Sequence, residues 1–364
     1  MNRLVMALWY EDDEGIRSKF HDILTEAQAM LAGFFTSDYF PYFGWLDKLT
    51  GKYSKLEKTF KKLEEFYEEV IGEHLDLKKH KFERENMVDI LLQLKKERCF
   101  SFELTLDHIK AVLMDIIVAG TDTSTTMPFT TLFLLLSTVH DSTETEQAKR
   151  TVAGWRTGDE AKRRRELEKK ARSLDPPGTS PGPPLNVMKK VQNELRNAIQ
   201  NKGYIEENDL SNLEYFKAVV KESFRLHPAA PLLVPRETLQ NCTIEGFDIP
   251  SKTLLYVNVW ATGRDPKIWK DPDLFKPERF MKSSINFLGQ DFELIPFGAG
   301  RRICPGIHLG VASLDIMLAN LLYFFDWELP GGLRREDIDT DVQLGLTMYK
   351  KNPLCLVANN YTSI

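Results

Sequence analysis

Cysteine is scarce in this chain. Cys99, Cys242, Cys304 and Cys355 are the only four in 364 residues, and no two form a CxxC pair. That spacing excludes a disulfide framework or a zinc cluster and fits a reducing compartment. A dominant charge is also missing: 48 Lys and Arg against 53 Asp and Glu leave a net charge of −5. Nothing global points to nucleic acid or an anionic surface. Long apolar runs are absent too. No stretch reaches the roughly 18 uncharged apolar residues of a spanning helix; the closest are Ala111 to Ala119, broken by Asp115, and Phe129 to Val139. The opening MNRLVMALWYEDDEG has too short an apolar patch for a signal peptide. As written, the chain is expected to be soluble or only peripherally attached. What is present is ample hydrophobicity, 42% of residues, enough for a sizeable core.

Residues 1–100 read as helix. Lys52 to His80 repeats apolar residues at Leu56, Phe60, Leu63, Phe66, Tyr67, Val70 and Ile71, the spacing of an amphipathic helix. The aromatic, turn-rich Phe34 to Asp47 could line a pocket, pack on the core or touch a membrane surface. Residues 104–126 read as a long helix capped by Thr105 and apolar on nearly every side from Ile109 to Ala119. Gly120, Thr121, Asp122, Thr123 and Ser124 then predict a break in mid-helix, where function is expected.

Residues 127–186 change character. The apolar run gives way to a charge run with Lys162 to Arg165, then to DPPGTSPGPP, which predicts disorder rather than helix or strand. A nucleic-acid patch at Lys162 to Arg165 is the lesser reading. Order returns at Val187. Ser211 to Glu214 reads as a capping box for a helix ending before His227-Pro228. Short strands follow over Val234 to Val259, then coil to Phe280, a helix from Pro305 to about Phe325, and a hairpin over Val342 to Val357.

Four constellations carry chemistry. In Pro296 to Gly306, three glycines permit close backbone approach to something bulky. Cys304 precedes a helix and has Arg301 and Arg302 beside it, so thiolate is favoured over thiol, as a metal ligand needs. A buried, inert cysteine in a tight turn is the plain alternative. Glu222 and Arg225 share one helix face and can pair. Pro277-Glu278-Arg279-Phe280 adds an arginine in rigid coil. Asp122 and Thr123, at the helix break, can hold water and pass protons, or can simply bond their own helix.

These four, in this order, resemble the cytochrome P-450 haem-thiolate monooxygenases. Phe297, Gly300, Arg302, Cys304 and Gly306 meet the family's haem-loop pattern F-x-x-G-x-R-x-C-x-G. A chance match in a chain this long is on the order of one in ten thousand. Ala119 to Ser124, Glu222/Arg225 and Pro277 to Phe280 meet three further patterns. The wording of Val187 to Val357 is similar to plant microsomal members.

The resemblance implies a mainly α fold with small β-sheets and a haem b whose iron is ligated by Cys304. It implies propionate contacts from Arg302 and Arg236, proton delivery by Asp122 and Thr123, and a buried structural triad of Glu222, Arg225 and Arg279. Electrons would come from NADPH through a flavin-containing cytochrome P-450 reductase, to O2 and a small apolar substrate lying against Ala119, Ala229 to Leu233 and Leu346-Thr347. Nucleic acid is not an expected partner. The family's place is the cytosolic face of the endoplasmic reticulum membrane. Here the anchor and first strands are expected to be missing, which would leave the chain cytoplasmic. The expected parts are 1–126, a partial helical half; 127–186, a non-family insert read as a retained intervening sequence or an alternative splice product; and 187–364, the haem-binding part. A non-catalytic product with weak or no haem binding stays open as the alternative.

Overall fold

The computed structural model describes residues 35–75, 86–137, 187–199, 202–331 and 346–361, with positions 23, 26, 27, 30, 33, 333, 337–339 and 341–343. Among them the longer helices are α1 (Lys52–Leu75), α2 (Met87–Glu97), α3 (Leu106–Ser137), α4 (Val187–Ile199), α5 (Glu214–Leu226) and α6 (Ile307–Phe324). The strands are short and pair two by two, all antiparallel. β1 (Arg236–Glu237) pairs with β4 (Leu254–Leu255), and β2 (Cys242–Ile244) with β3 (Phe247–Ile249). β5 (Phe325–Glu328) pairs with β8 (Val357–Asn360), and β6 (Val342–Gln343) with β7 (Tyr349–Lys350). The expected fold class, mainly α with small sheets, is the one observed.

Two apolar cores organise the helices. One gathers Leu63, Phe66, Val70 and Ile71 of α1, Val88 of α2, and Ile109, Leu113 and Ile117 of α3. The other gathers Met127, Leu132, Leu135 and Leu136 of α3 with the buried faces of α4, α5 and α6. α3 therefore belongs to both, one half in each. α6 is long and apolar enough, by length and composition, to cross a membrane, although it carries Asp315. Here it contributes Leu314, Leu318 and Leu322 to the second core, as a core helix does.

Local chemistry sets several ends. Thr105 Oγ1 accepts the N–H of His108 at 3.2 Å, the expected cap of α3. Asn86 caps α2 by accepting the N–H groups of Val88 and Asp89.

Five expectations need correction. α3 does not end near Thr126 but continues to Ser137 through Pro128. Met127, Leu132, Leu135 and Leu136 bury at three-and-four spacing, and that packing outweighs the lost N–H of proline. The stretch 127–137, assigned to the insert, is thus helical; 138–186, with Lys162 to Arg165, lies outside the described residues. The mid-helix break is not there either, since helix is continuous across 120–124. Leu56 and Phe60 of α1 are exposed, while Thr59 is buried between them in sequence. The capping box at Ser211 does not form: Ser211 Oγ donates to Asn208 O instead, and the N-cap of α5 is Leu213, which offers no side-chain cap. Finally, β8 leaves the predicted tail hairpin and joins β5.

Candidate functional site

The loop before α6 is shaped by two glycines with left-handed backbone, Gly298 (φ 75°) and Gly300 (φ 70°). Gly298 N–H donates to Ile295 O at 3.0 Å, and a 3-10 turn follows over Gly300–Arg302. The chain then folds back, so that Cys304 N–H donates to Phe297 O at 2.9 Å. Pro305 and Gly306 form a turn, and α6 begins only at Ile307 rather than at Pro305. The Cys304 side chain is half-buried. A Cβ on Gly306 would meet only Cys304 Sγ, at 3.9 Å, and one on Gly300 nothing within 4 Å, whereas one on Gly298 would meet Arg236, Leu233 and the Arg302 carbonyl at 3.8–3.9 Å. A half-buried thiol beside glycine backbone could serve as a metal ligand.

Behind the loop stands an aromatic triangle. Phe297 lies 5.1 Å from Phe224 and 5.8 Å from Phe287, with Phe224 and Phe287 5.3 Å apart. Phe224 belongs to α5, so the loop rests directly on the helix that carries Glu222 and Arg225.

That helix holds the expected triad. Glu222 and Arg225 are fully buried and paired at both oxygens, Nε to Oε2 and Nη2 to Oε1, each 2.8 Å. Arg279 Nε donates to the same Oε1 at 3.1 Å, and the Lys276 backbone N–H does so at 2.7 Å. The remaining guanidinium donors reach carbonyls. Arg225 bonds Gly263, Pro272 and Leu274; Arg279 bonds Lys270, Asp271 and Leu274. Trp269 sits under both arginines, its ring centre 5.4 Å from Arg225 Cζ and 5.9 Å from Arg279 Cζ. Burial, helped by Arg264 and Arg225, pushes the neighbouring His227 down to about 4, so it is neutral at physiological pH.

The other expected residues fall in separate places. Arg236 Nη2 donates to Arg302 O at 3.1 Å, which brings these two residues together at the cysteine loop. The Arg302 side chain itself points to solvent. Thr123 is half-buried on α3 and its hydroxyl donates to Ala119 O at 2.6 Å, the helix-bonding alternative. Asp122 lies on the same helix, but its side chain is outside the described residues. Ala229 accepts the Met348 N–H at 2.8 Å, so the Ala229–Leu233 segment does adjoin the Leu346-Thr347 turn.

Sequence reasoning missed Phe224, Phe287, Trp269 and Gly263. Gly263 alone left a trace, a glycine just before Arg264-Asp265-Pro266. A Cβ there would lie 2.3 Å from Arg225 O, so the helix and this turn touch backbone to backbone.

The profile of the family described as Cytochrome P-450 matches residues 4–154 and 184–356. The chain is 40% identical over 367 aligned positions to 5-OH-xanthotoxin synthase of Pastinaca sativa, covering 99% of this chain and 63% of that protein. It is 39% identical to strychnine-11-hydroxylase of Strychnos nux-vomica, covering 96% of this chain and 60% of that one. It therefore spans less than two thirds of the length of these relatives. A zebrafish cytochrome P-450 structure with progesterone superposes with a TM-score of 0.69 at 20% identity, covering 99% of this chain and 68% of that one.

Proposed function

Because this chain belongs to the cytochrome P-450 family, we propose that it is built for haem-thiolate monooxygenation of a small apolar plant metabolite, with Cys304 as the iron ligand. One observation carries the reading: the Cys304 main chain is fixed by its own N–H on Phe297 O at 2.9 Å, with Gly306 backbone beside its sulfur. The relatives' names, a hydroxylase and a hydroxylated-product synthase, support the reaction type.

When bound, the haem supplies oxygen activation, drawing on electrons that NADPH delivers through a flavin reductase. The chain's own residues do the rest. Cys304 donates a thiolate, and the loop turn holds its main chain in place. Arg236 and Arg302 offer guanidinium donors to the haem carboxylates. The Thr123 hydroxyl donates its hydrogen to Ala119 O; its lone pairs can accept a hydrogen bond, and by turning away from Ala119 O it can pass its own proton on as it takes up another, with Asp122, its neighbour in sequence, as the acid. Ala119 and the Ala229–Leu233 segment contribute apolar wall that excludes water. Glu222, Arg225 and Arg279 hold the floor beneath the loop rigid. The exposed aromatic turn with Phe40, Tyr42, Phe43 and Trp45 supports contact with a membrane surface, at the cytosolic face of the endoplasmic reticulum.

Expression with haem supplied, followed by reduction and CO, tests this. The expected result is the red-shifted Soret band of a thiolate–CO complex, lost in Cys304→Ala. A band that survives Cys304→Ala refutes the ligand assignment. No haem uptake at all favours the non-catalytic reading.

A further inference from the structure

α5 lacks a cap of its own, yet its first N–H groups are not orphaned. Glu194, on α4, reaches across and accepts Tyr215 N–H at Oε1 (2.9 Å) and Phe216 N–H at Oε2 (2.7 Å). These are the second and third residues of α5, the two donors that a side-chain cap serves. A carboxylate there also meets the positive end of the helix dipole. Both residues are buried, at 3% and 0% exposure, so solvent offers the two amides little substitute partner.

The grip on Tyr215 is not confined to its backbone. Its hydroxyl donates to Glu278 Oε1 at 2.8 Å, and Glu278 also pairs with Lys190 at 3.0 Å. Lys190 sits over the Tyr215 ring, 3.9 Å from its centre. Lys190 and Glu194 are one turn apart on α4. Two turns along α5 from Tyr215, on the same face, is Glu222, which pairs with Arg279, the residue next to Glu278. So α5 meets the Pro277–Phe280 turn at two adjacent residues. One of these contacts carries the triad. The other begins at a residue that α4 holds in place. Phe224, on the same helix, carries Phe297, whose carbonyl fixes Cys304 N–H.

We propose that Glu194 is a positioning residue for the Cys304 site: by capping α5 from a neighbouring helix it sets the axial position of that helix, and with it the Glu222–Arg279 pairing and the seat of the cysteine loop. This rests on the reading of Cys304 as the haem ligand.

The test compares Glu194→Ala and Glu194→Gln with Leu195→Ala, a buried apolar truncation on the same helix that leaves the cap intact. Amide hydrogen exchange is followed in peptides 213–217 and 296–306 of the full chain, and the reduced CO Soret band is split into thiolate and neutral-thiol components. At matched global stability, Glu194→Ala is expected to speed exchange in both peptides by about tenfold over Leu195→Ala, the scale of a lost cap. It also shifts part of the Soret band to the neutral-thiol position. Glu194→Gln keeps one acceptor oxygen and falls between. If Glu194→Ala yields no folded protein, Glu194→Gln carries the same comparison. Exchange in 296–306 equal to that of Leu195→Ala overturns the proposal. If even the parent takes up no haem, the ligand assignment fails instead, and the exchange comparison still decides on Glu194.

Discussion

Glu222→Gln is the sharpest single probe of the architecture. The carboxylate accepts four donors: three on Oε1 (Arg225 Nη2, Lys276 N, Arg279 Nε) and one on Oε2 (Arg225 Nε). Glutamine keeps one acceptor oxygen. Placed as Oε1, that oxygen retains the three-donor side, but the amide nitrogen then points its own hydrogens at Arg225 Nε–H. Two guanidinium charges are left beside a neutral group, and the Arg225 end is wholly buried. Breaking a buried pair from one side costs about 3–5 kcal/mol. Set against a typical total of roughly 5–15 kcal/mol, that is a large share. With a urea dependence of about 2.5 kcal/mol per M, the midpoint should fall by about 1.5 M. Urea unfolding followed by circular dichroism measures it without any cofactor. A loss under about 1 kcal/mol would show that the charge on Glu222 is not what holds α5 to Arg279, and the reasoning from burial fails with it.

Three further outcomes follow from the same contacts. Gly263→Ala puts a methyl 2.3 Å from the Arg225 carbonyl oxygen, a backbone atom with nowhere to go; thermal unfolding should show a loss of about 1–3 kcal/mol, and an unchanged Tm contradicts the contact. Asp315 has an unpartnered carboxylate oxygen, and burial, opposed by Lys217 and reinforced by Glu207, raises it to about 7 from an ordinary 3.8. The native state then holds the proton more tightly than the unfolded chain, so stability declines as pH rises from about 4 to about 7. Asp315→Asn should therefore be more stable than the parent near pH 8 and match it near pH 4, and equal urea midpoints at both pH values would sink the claim. Thr123→Ala should leave stability within about 0.5 kcal/mol, since it removes only a bond back to its own helix. In the haem-loaded enzyme the same change should divert NADPH consumption into peroxide, and unchanged coupling removes Thr123 from the proton relay.

The sequence revealed what side-chain spacing encodes and hid what backbone atoms do. Glu222 and Arg225 were legible as a pair because three residues on a helix share a face, and Cys304 because glycines crowd its loop. The acceptors that saturate the two arginines are carbonyls of Gly263, Lys270, Asp271, Pro272 and Leu274. Any residue can supply a carbonyl, so no residue type announces it. Ser211 carried a correct local signature for a cap and still lost, because the Glu194 carboxylate arrives from another helix with two oxygens for two amides. Periodicity named Leu56 and Phe60 as buried because it tells which residues share a stripe, not how far along the helix a partner extends.

The two-core arrangement explains how a poor helix-forming stretch survives in α3. Ile109, Leu113 and Ile117 anchor its first half in one core, and Leu132, Leu135 and Leu136 anchor its second half in the other. Gly120 and the threonines around it lie between the anchors, where neither core demands large apolar side chains. Their low helix propensity, about 0.5–1 kcal/mol for each residue relative to alanine, is tolerable because both flanks already hold helical geometry. The middle of α3 is thus free to carry small and hydroxylated residues. The second half of α3 packs against α6, the helix that begins at Ile307, after the turn that follows Cys304. One shared core therefore ties the helix that carries Thr123 to the helix that follows the Cys304 turn.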